Sequence, residues 1–64
     1  MRDFTSEVQR CTDWRVLHQL LAEIESEISF LEDQSYLEAR QQDRLYTLQL
    51  LLQYGEHKLA QLLG

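Results

Sequence analysis

The chain has no proline, and its 64 residues include only two glycines and one cysteine. Little therefore interrupts a helix, and the abundance of Leu, Glu, Gln and Arg favours helix over strand. The single Cys11 excludes an internal disulfide, and Cys11, His18 and His57 do not show the spacing of metal ligands. We predict an all-α protein without disulfide, metal or cofactor.

Positive charge and long apolar runs are also scarce. Six basic residues stand against eleven acidic ones, a net charge of -5, and the basic residues are scattered, so we expect no direct nucleic-acid ligand. The longest apolar run, residues 50–52, is far too short to insert into a membrane. No secretion signal is recognisable, and one unpaired cysteine fits a reducing compartment, so we expect a cytoplasmic protein.

What the chain does contain is two apolar seams with the heptad spacing that lets two helices bury each other. The seams predict the core of a coiled-coil-like, antiparallel helical hairpin. The first seam comprises Trp14, Leu17, Leu21, Ile24, Ile28 and Leu31, and the second comprises Leu45, Leu48, Leu52, Gly55, Leu59 and Leu62. On a helical wheel Leu20 joins the first seam, and Leu37, Leu51 and Leu63 join the second.

A turn is predicted between the two seams. Continuing the first seam would put Ser35, Glu38 and Gln42 on it, and all three are polar. We place the turn at residues 32–35, where Ser35 and Glu38 match the spacing of a capping box. The long helices are then residues 13–32 and 36–63.

A short helix is predicted before the hairpin. Phe4, Val8 and Cys11 are spaced four and three apart, which indicates one or two apolar turns over residues 4–11 laid against the hairpin. Thr12 or Asp13 can cap the long helix that follows. With 64 residues, the chain is one domain at most, residues 1–64, and its core is expected to be marginal without a partner.

Gly55 stands where the second seam calls for a large apolar residue. A glycine inside a helix costs about 1 kcal/mol relative to alanine, so a reason for it is expected. We predict that it lets the Trp14 ring approach closely; the alternative is a kink in the helix.

A further apolar line lies away from the second seam. Tyr46, Leu50 and Tyr54 recur at every fourth position, and we call them the tyrosine stripe. Because tyrosine is apolar with a polar tip, it is enriched at interfaces. We predict that the stripe, together with the off-seam residues Val16 and Phe30, binds a partner.

Catalysis is not expected. Cys11 as a nucleophile would need a positioned base, and nothing in the sequence positions His18 or His57. Cys11 is predicted to pack as a small hydrophobe and both histidines to lie at the surface. Glu23, Glu25 and Glu27 alternate around the first long helix and indicate a solvated face.

The segment WRVLHQLL at residues 14–21, residues 48–63 and Tyr36 near the turn resemble the small E-type co-chaperones of type III secretion needle chaperones. The resemblance implies a short helix followed by a long helical hairpin. It also implies a cytoplasmic partnership with a larger helical-repeat chaperone, which together with the small protein holds the needle subunit, the secretion substrate, unpolymerised.

Two alternatives remain open. Arg10-Cys11 and residues 56–62 resemble pieces of the Hha-type modulators of nucleoid-bound regulators, which implies action on a nucleoid-associated protein. The same apolar residues would also suit a homodimer in which two hairpins form a four-helix bundle. We expect a non-enzymatic helical adaptor that binds and stabilises a helical partner.

Overall fold

The computed structural model describes residues 3–64, which fold into three helices. These are α1 (Phe4–Arg10), α2 (Trp14–Glu32) and α3 (Ala39–Leu63). The most extensive packing is between α2 and α3, and α1 lies mainly against α2. Across this part of the chain the protein is all-helical, as the composition predicts.

An aspartate caps each of the first two helices. Asp13 Oδ1 accepts a hydrogen bond from the Arg15 N–H at 2.9 Å, so Asp13 is the cap of α2. Asp3 Oδ2 accepts from the Ser6 hydroxyl at 2.9 Å, and Asp3 Oδ1 accepts from the Ser6 N–H at 3.3 Å. These two bonds favour the ionised carboxylate and hold the pKa of Asp3 below its ordinary value.

The connection between α2 and α3 is longer than the sequence predicts, and the predicted capping box is wrong. Glu38 is the N-cap of α3 and pairs with Gln41, whose side-chain oxygen accepts from the Glu38 N–H at 3.0 Å. The helix therefore begins at Ala39 and not at residue 36. The reason is Leu37, which packs against the core from the non-helical segment before the cap.

The core is built from all three helices and the α1–α2 connection. Within the described part of the chain, the eleven buried apolar residues are Phe4, Val8, Cys11, Leu17, Leu20, Leu21, Ile24, Ile28, Leu31, Leu48 and Leu51. Every seam residue of α2 after Trp14 is among them. No buried side-chain nitrogen or oxygen among the described residues lacks a hydrogen-bond partner, so the core is apolar and satisfied.

The contact at Gly55 is close, but the predicted neighbour is wrong. A Cβ placed on Gly55 would collide with Leu21 Cδ2 and would lie 3.7 Å from Val8 Cγ1. The Trp14 ring is not among these neighbours. Val8 of α1 and Leu21 of α2 already fill the space over Gly55, so the glycine lets three helices meet at one point.

Trp14 and Leu62 are exposed, which corrects their assignment to the core. Trp14 is 44% exposed and Leu62 is 38% exposed; Leu63 is more exposed still. Trp14 is the first residue of α2, and the two leucines end α3. Side chains at a helix end have neighbours on one side only. The Arg15 guanidinium lies 5.6 Å from the centroid of the Trp14 ring, a cation–π contact typical of a surface.

The buried line of α3 agrees only in part with the predicted second seam. Leu48, Leu51 and Gly55 are buried, whereas Leu45, Leu52 and Leu59 are only half-buried. Leu51 lines one depression with Phe4 and Thr5 of α1. Since α1 covers this flank, it draws Leu51 into the core and leaves the opposite flank partly open.

Lys58 ties α1 to α3. Its Nζ donates hydrogen bonds to the backbone oxygens of Val8 and Gln9, each at 2.7 Å. Both carbonyls belong to the last turn of α1, where the helix carries partial negative charge. The Val8 oxygen also accepts a hydrogen bond from the Cys11 N–H at 3.3 Å.

Replacing Lys58 with methionine should therefore loosen α1. The apolar stem is kept while both hydrogen bonds to the ammonium are lost, so we expect the free energy of unfolding to fall by about 1 kcal/mol. The buried Cys11 thiol should also react faster with a thiol reagent. Arg40→Met on the same helix is the matched control, and equal thiol reactivity in the two variants would contradict the role of Lys58.

Candidate protein-binding surface

The tyrosine stripe lies on the surface of α3. Tyr46 is 63% exposed, Leu50 is 49% exposed and Tyr54 is 48% exposed. Tyr46, Leu50 and Tyr54 share one face of the helix because they are four residues apart. Leu48 and Leu51, which lie between them in the sequence, are buried in the core. Three large side chains are thus aligned and uncovered.

The stripe occupies a part of α3 that carries no charge. Residues 45–55 form an eleven-residue stretch without Asp, Glu, Lys or Arg, although 27% of the chain is charged. Eleven helical residues extend about 16 Å. Helical surfaces that face only water are usually charged or polar, so this stretch is unlike a solvated face.

Residues of α1 border the stripe on one side. Thr5 and Gln9 share a shallow depression with Thr47, Leu50 and Tyr54. Small polar side chains beside an apolar centre are the usual arrangement of a protein–protein interface.

A groove adjoins the stripe between the start of α1 and the first half of α3. Its volume is about 530 Å³, and Phe4, Leu48 and Leu51 form its apolar part. Arg40 and Arg44 also line it. No pattern in the sequence predicts this groove, because it depends on where α1 lies. Arg44 Nε also donates to Glu27 Oε1 of α2 at 2.5 Å.

The other two predicted partner-binding residues are exposed but lie apart from the stripe. Val16 borders a depression formed by α2 with Glu7 and Arg10 of α1, on the other side of α1 from Leu50. Phe30 is exposed near the end of α2 and lines neither depression. Tyr46, Leu50 and Tyr54 are thus exposed in line on α3, whereas Val16 and Phe30 are exposed on α2.

The candidates for chemistry are dispersed. Cys11 is buried, and its thiol donates to the Asp13 backbone oxygen at 3.2 Å. His18 and His57 are exposed, and His57 contacts Gln61. Within residues 3–64, no group of His, Cys, Asp or Glu is arranged to hold a metal ion.

No helix in the described part of the chain is both long and apolar enough to cross a bilayer. Comparison with protein-family models, curated proteins and solved structures gives no match to this chain.

Proposed function

We propose that this chain is a non-enzymatic helical adaptor whose tyrosine stripe accepts a helix from a protein partner. The observation that carries the proposal is the stripe itself: three large side chains, aligned and about half or more exposed, on an uncharged stretch of α3. Exposed apolar residues scattered singly need no explanation, whereas a contiguous group points to a binding site.

The scaffold under the stripe is inferred to be an antiparallel hairpin of α2 and α3. Two contacts support this orientation. Arg44, near the start of α3, bonds to Glu27, near the end of α2. Gly55, further along α3, lies against Leu21, further back in α2. The short α1 packs on this hairpin and borders the stripe.

The size of the core also favours a partner. Residues 3–64 contain eleven buried apolar residues, and single cores in chains of this length rarely supply more than about 3–5 kcal/mol. A partner that binds only the folded chain adds its binding free energy to that stability. An adaptor of this kind would be stabilised by the complex in which it works.

The specific form that the sequence resemblance suggests is a cytoplasmic co-chaperone in a type III secretion needle-chaperone complex. The partner would then be the helical-repeat chaperone, the needle subunit or both. An Hha-like action on a nucleoid-associated regulator is the alternative. A binding assay with purified proteins distinguishes the two hypotheses. The co-chaperone hypothesis predicts capture of the secretion components, and the Hha-like hypothesis predicts capture of the nucleoid-associated regulator.

The test is a binding assay with the double variant Leu50→Glu/Tyr54→Glu. We expect it to abolish capture of the needle subunit and its helical-repeat chaperone, because two carboxylates would be buried without partners. Helix content by circular dichroism should remain nearly unchanged, since both side chains are exposed.

The matched control is Val16→Glu/Phe30→Glu, which places two carboxylates on exposed apolar residues outside the stripe. We expect this variant to bind as the unmodified chain does. Unchanged binding by the stripe variant would remove the stripe from consideration. Capture of a nucleoid regulator by the unmodified chain, without capture of secretion components, would replace the co-chaperone form by the alternative.

A further inference from the structure

The tyrosine stripe is symmetric about Leu50. Tyr46 and Tyr54 stand four residues before and after it, and Asp43 and His57 stand seven residues before and after it. The spacing along the helix is three, four, four and three. Such spacing keeps residues on one side of a helix, and all five are exposed.

The symmetry extends to the polar ends of the stripe in a way that favours one orientation of a pair. Asp43 at one end carries a carboxylate, and His57 at the other end carries an imidazole whose ring N–H can donate a hydrogen bond to a carboxylate. If two copies of α3 pair antiparallel about Leu50, each Asp43 meets His57 of the second copy. A parallel pair would set Asp43 against Asp43 and His57 against His57.

We propose that a second copy of this chain docks on the tyrosine stripe, with the two α3 helices antiparallel and a two-fold axis at Leu50. This inference rests on the proposed function in that it takes the stripe to be a protein-binding surface. It adds the partner and the geometry. The interface is isologous, since the same residues contribute from both copies.

The contacts across this interface follow from its symmetry. Leu50 packs against Leu50 of the second copy at the centre, and each Tyr46 packs against Tyr54 of the second copy. Tyrosine rings next to a central leucine give an apolar centre with hydroxyl groups that can reach water. Thr5 and Gln9 of α1 border the stripe and form part of a polar rim.

The Asp43–His57 pairs at the ends chiefly set orientation. Exposed pairs of this kind contribute little affinity, but two Asp43 carboxylates placed opposite each other disfavour the parallel pairing. A patch centred on three large side chains per copy is small, and small interfaces are typical of weak complexes. We therefore expect a dimer that dissociates on dilution, and a heterologous partner would compete with it for the same stripe.

The first arm of the test measures solution mass against concentration by light scattering and sedimentation equilibrium. We expect a monomer–dimer equilibrium. Leu50→Glu should raise its dissociation constant on the order of 30-fold or more, as for a central interface residue, because two carboxylates would meet at the two-fold axis. Leu63→Glu is the control: the same substitution at an exposed leucine of α3 outside the stripe, expected to leave the constant within about threefold.

The second arm determines orientation, with single cysteines in a Cys11→Ala background and a short bismaleimide reagent. Leu50→Cys should cross-link to itself. Tyr46→Cys alone and Tyr54→Cys alone should not, because antiparallel pairing separates identical positions by about eight residues, roughly 12 Å along the axis. A mixture of the two variants should cross-link. Self-linking of Tyr46→Cys would overturn the antiparallel geometry.

The outcomes separate this inference from the proposed function. A chain that stays monomeric at every concentration overturns self-pairing, while the adaptor function still stands or falls on the binding assay with secretion components. A dimer that persists in Leu50→Glu overturns this interface. If the Leu50→Glu/Tyr54→Glu variant also keeps its heterologous partner, the stripe has no binding role of either kind.

Discussion

Leu17→Ala is expected to lower the free energy of unfolding by about 2–5 kcal/mol. Leu17 is fully buried in α2 and belongs to the core that all three helices share. Truncation to alanine removes buried apolar surface and leaves a cavity that the packed neighbours fill only in part. Urea denaturation monitored by circular dichroism measures the loss.

The size of this effect is large compared with the total stability of the chain. Single cores in chains of this length rarely supply more than about 3–5 kcal/mol, so the loss expected for Leu17→Ala is comparable to the whole unfolding free energy of the chain. Ile24→Val removes one methylene group at another fully buried position. It should cost about 0.5–1.5 kcal/mol and leave a measurable transition.

Val16→Ala is the control for Leu17, because the neighbouring Val16 is about half exposed. Its effect should stay within about 0.5 kcal/mol. Equal losses for Leu17→Ala and Val16→Ala would mean that the buried face of α2 has been assigned incorrectly.

Gly55→Leu should destabilise the chain by about 2–3 kcal/mol, because overpacking a filled core costs about 1–3 kcal/mol and sometimes more. Even a Cβ at this position collides with Leu21 Cδ2 and approaches Val8, so a whole isobutyl group has no space. Leucine is the residue that the heptad pattern would place at this position. The better helix propensity of leucine offsets only part of the strain.

Of the three helices that meet at Gly55, the shortest should be displaced first. The helix α1 has seven residues, so we expect Gly55→Leu to displace it and expose the Cys11 thiol. Faster reaction of Cys11 with a thiol reagent measures that displacement directly. Gln49→Leu, an exposed position on α3, is the control and should leave the thiol protected.

A double-mutant cycle identifies the colliding side chain. In a Leu21→Ala background the space over Gly55 is larger, so Gly55→Leu should cost less there by about 0.5–3 kcal/mol. An additive result would show that Leu21 is not what prevents a side chain at position 55.

The first long helix was largely predictable from the sequence. Five of its six seam residues, from Leu17 to Leu31, are buried as the periodicity predicts. The spacing of apolar residues correctly predicts the buried face of a helix when that helix packs mainly against one neighbour. The exception, Trp14, is at the helix end, where no local pattern reports how many neighbours a side chain will have.

The second long helix was predicted less accurately. The helix begins at Ala39, later than predicted, because Leu37 packs against the core from the segment before the helix. Leu51, which the helical wheel adds to the seam, is buried, whereas Leu52 of the heptad seam itself is only half-buried. Leu51 lines a depression with Phe4 and Thr5 of α1, and spacing along α3 alone does not specify which flank of the helix α1 covers.

The sequence by itself determined that the chain is helical, which face of α2 is buried, and that Tyr46, Leu50 and Tyr54 share one line on α3. These follow from residue propensity and from spacing along a single helix. Only the tertiary structure decided that Val8 and Leu21 meet at Gly55 and that Lys58 holds the end of α1. Such contacts join residues distant in the chain, and they depend on the position of α1, which no spacing within a single helix specifies.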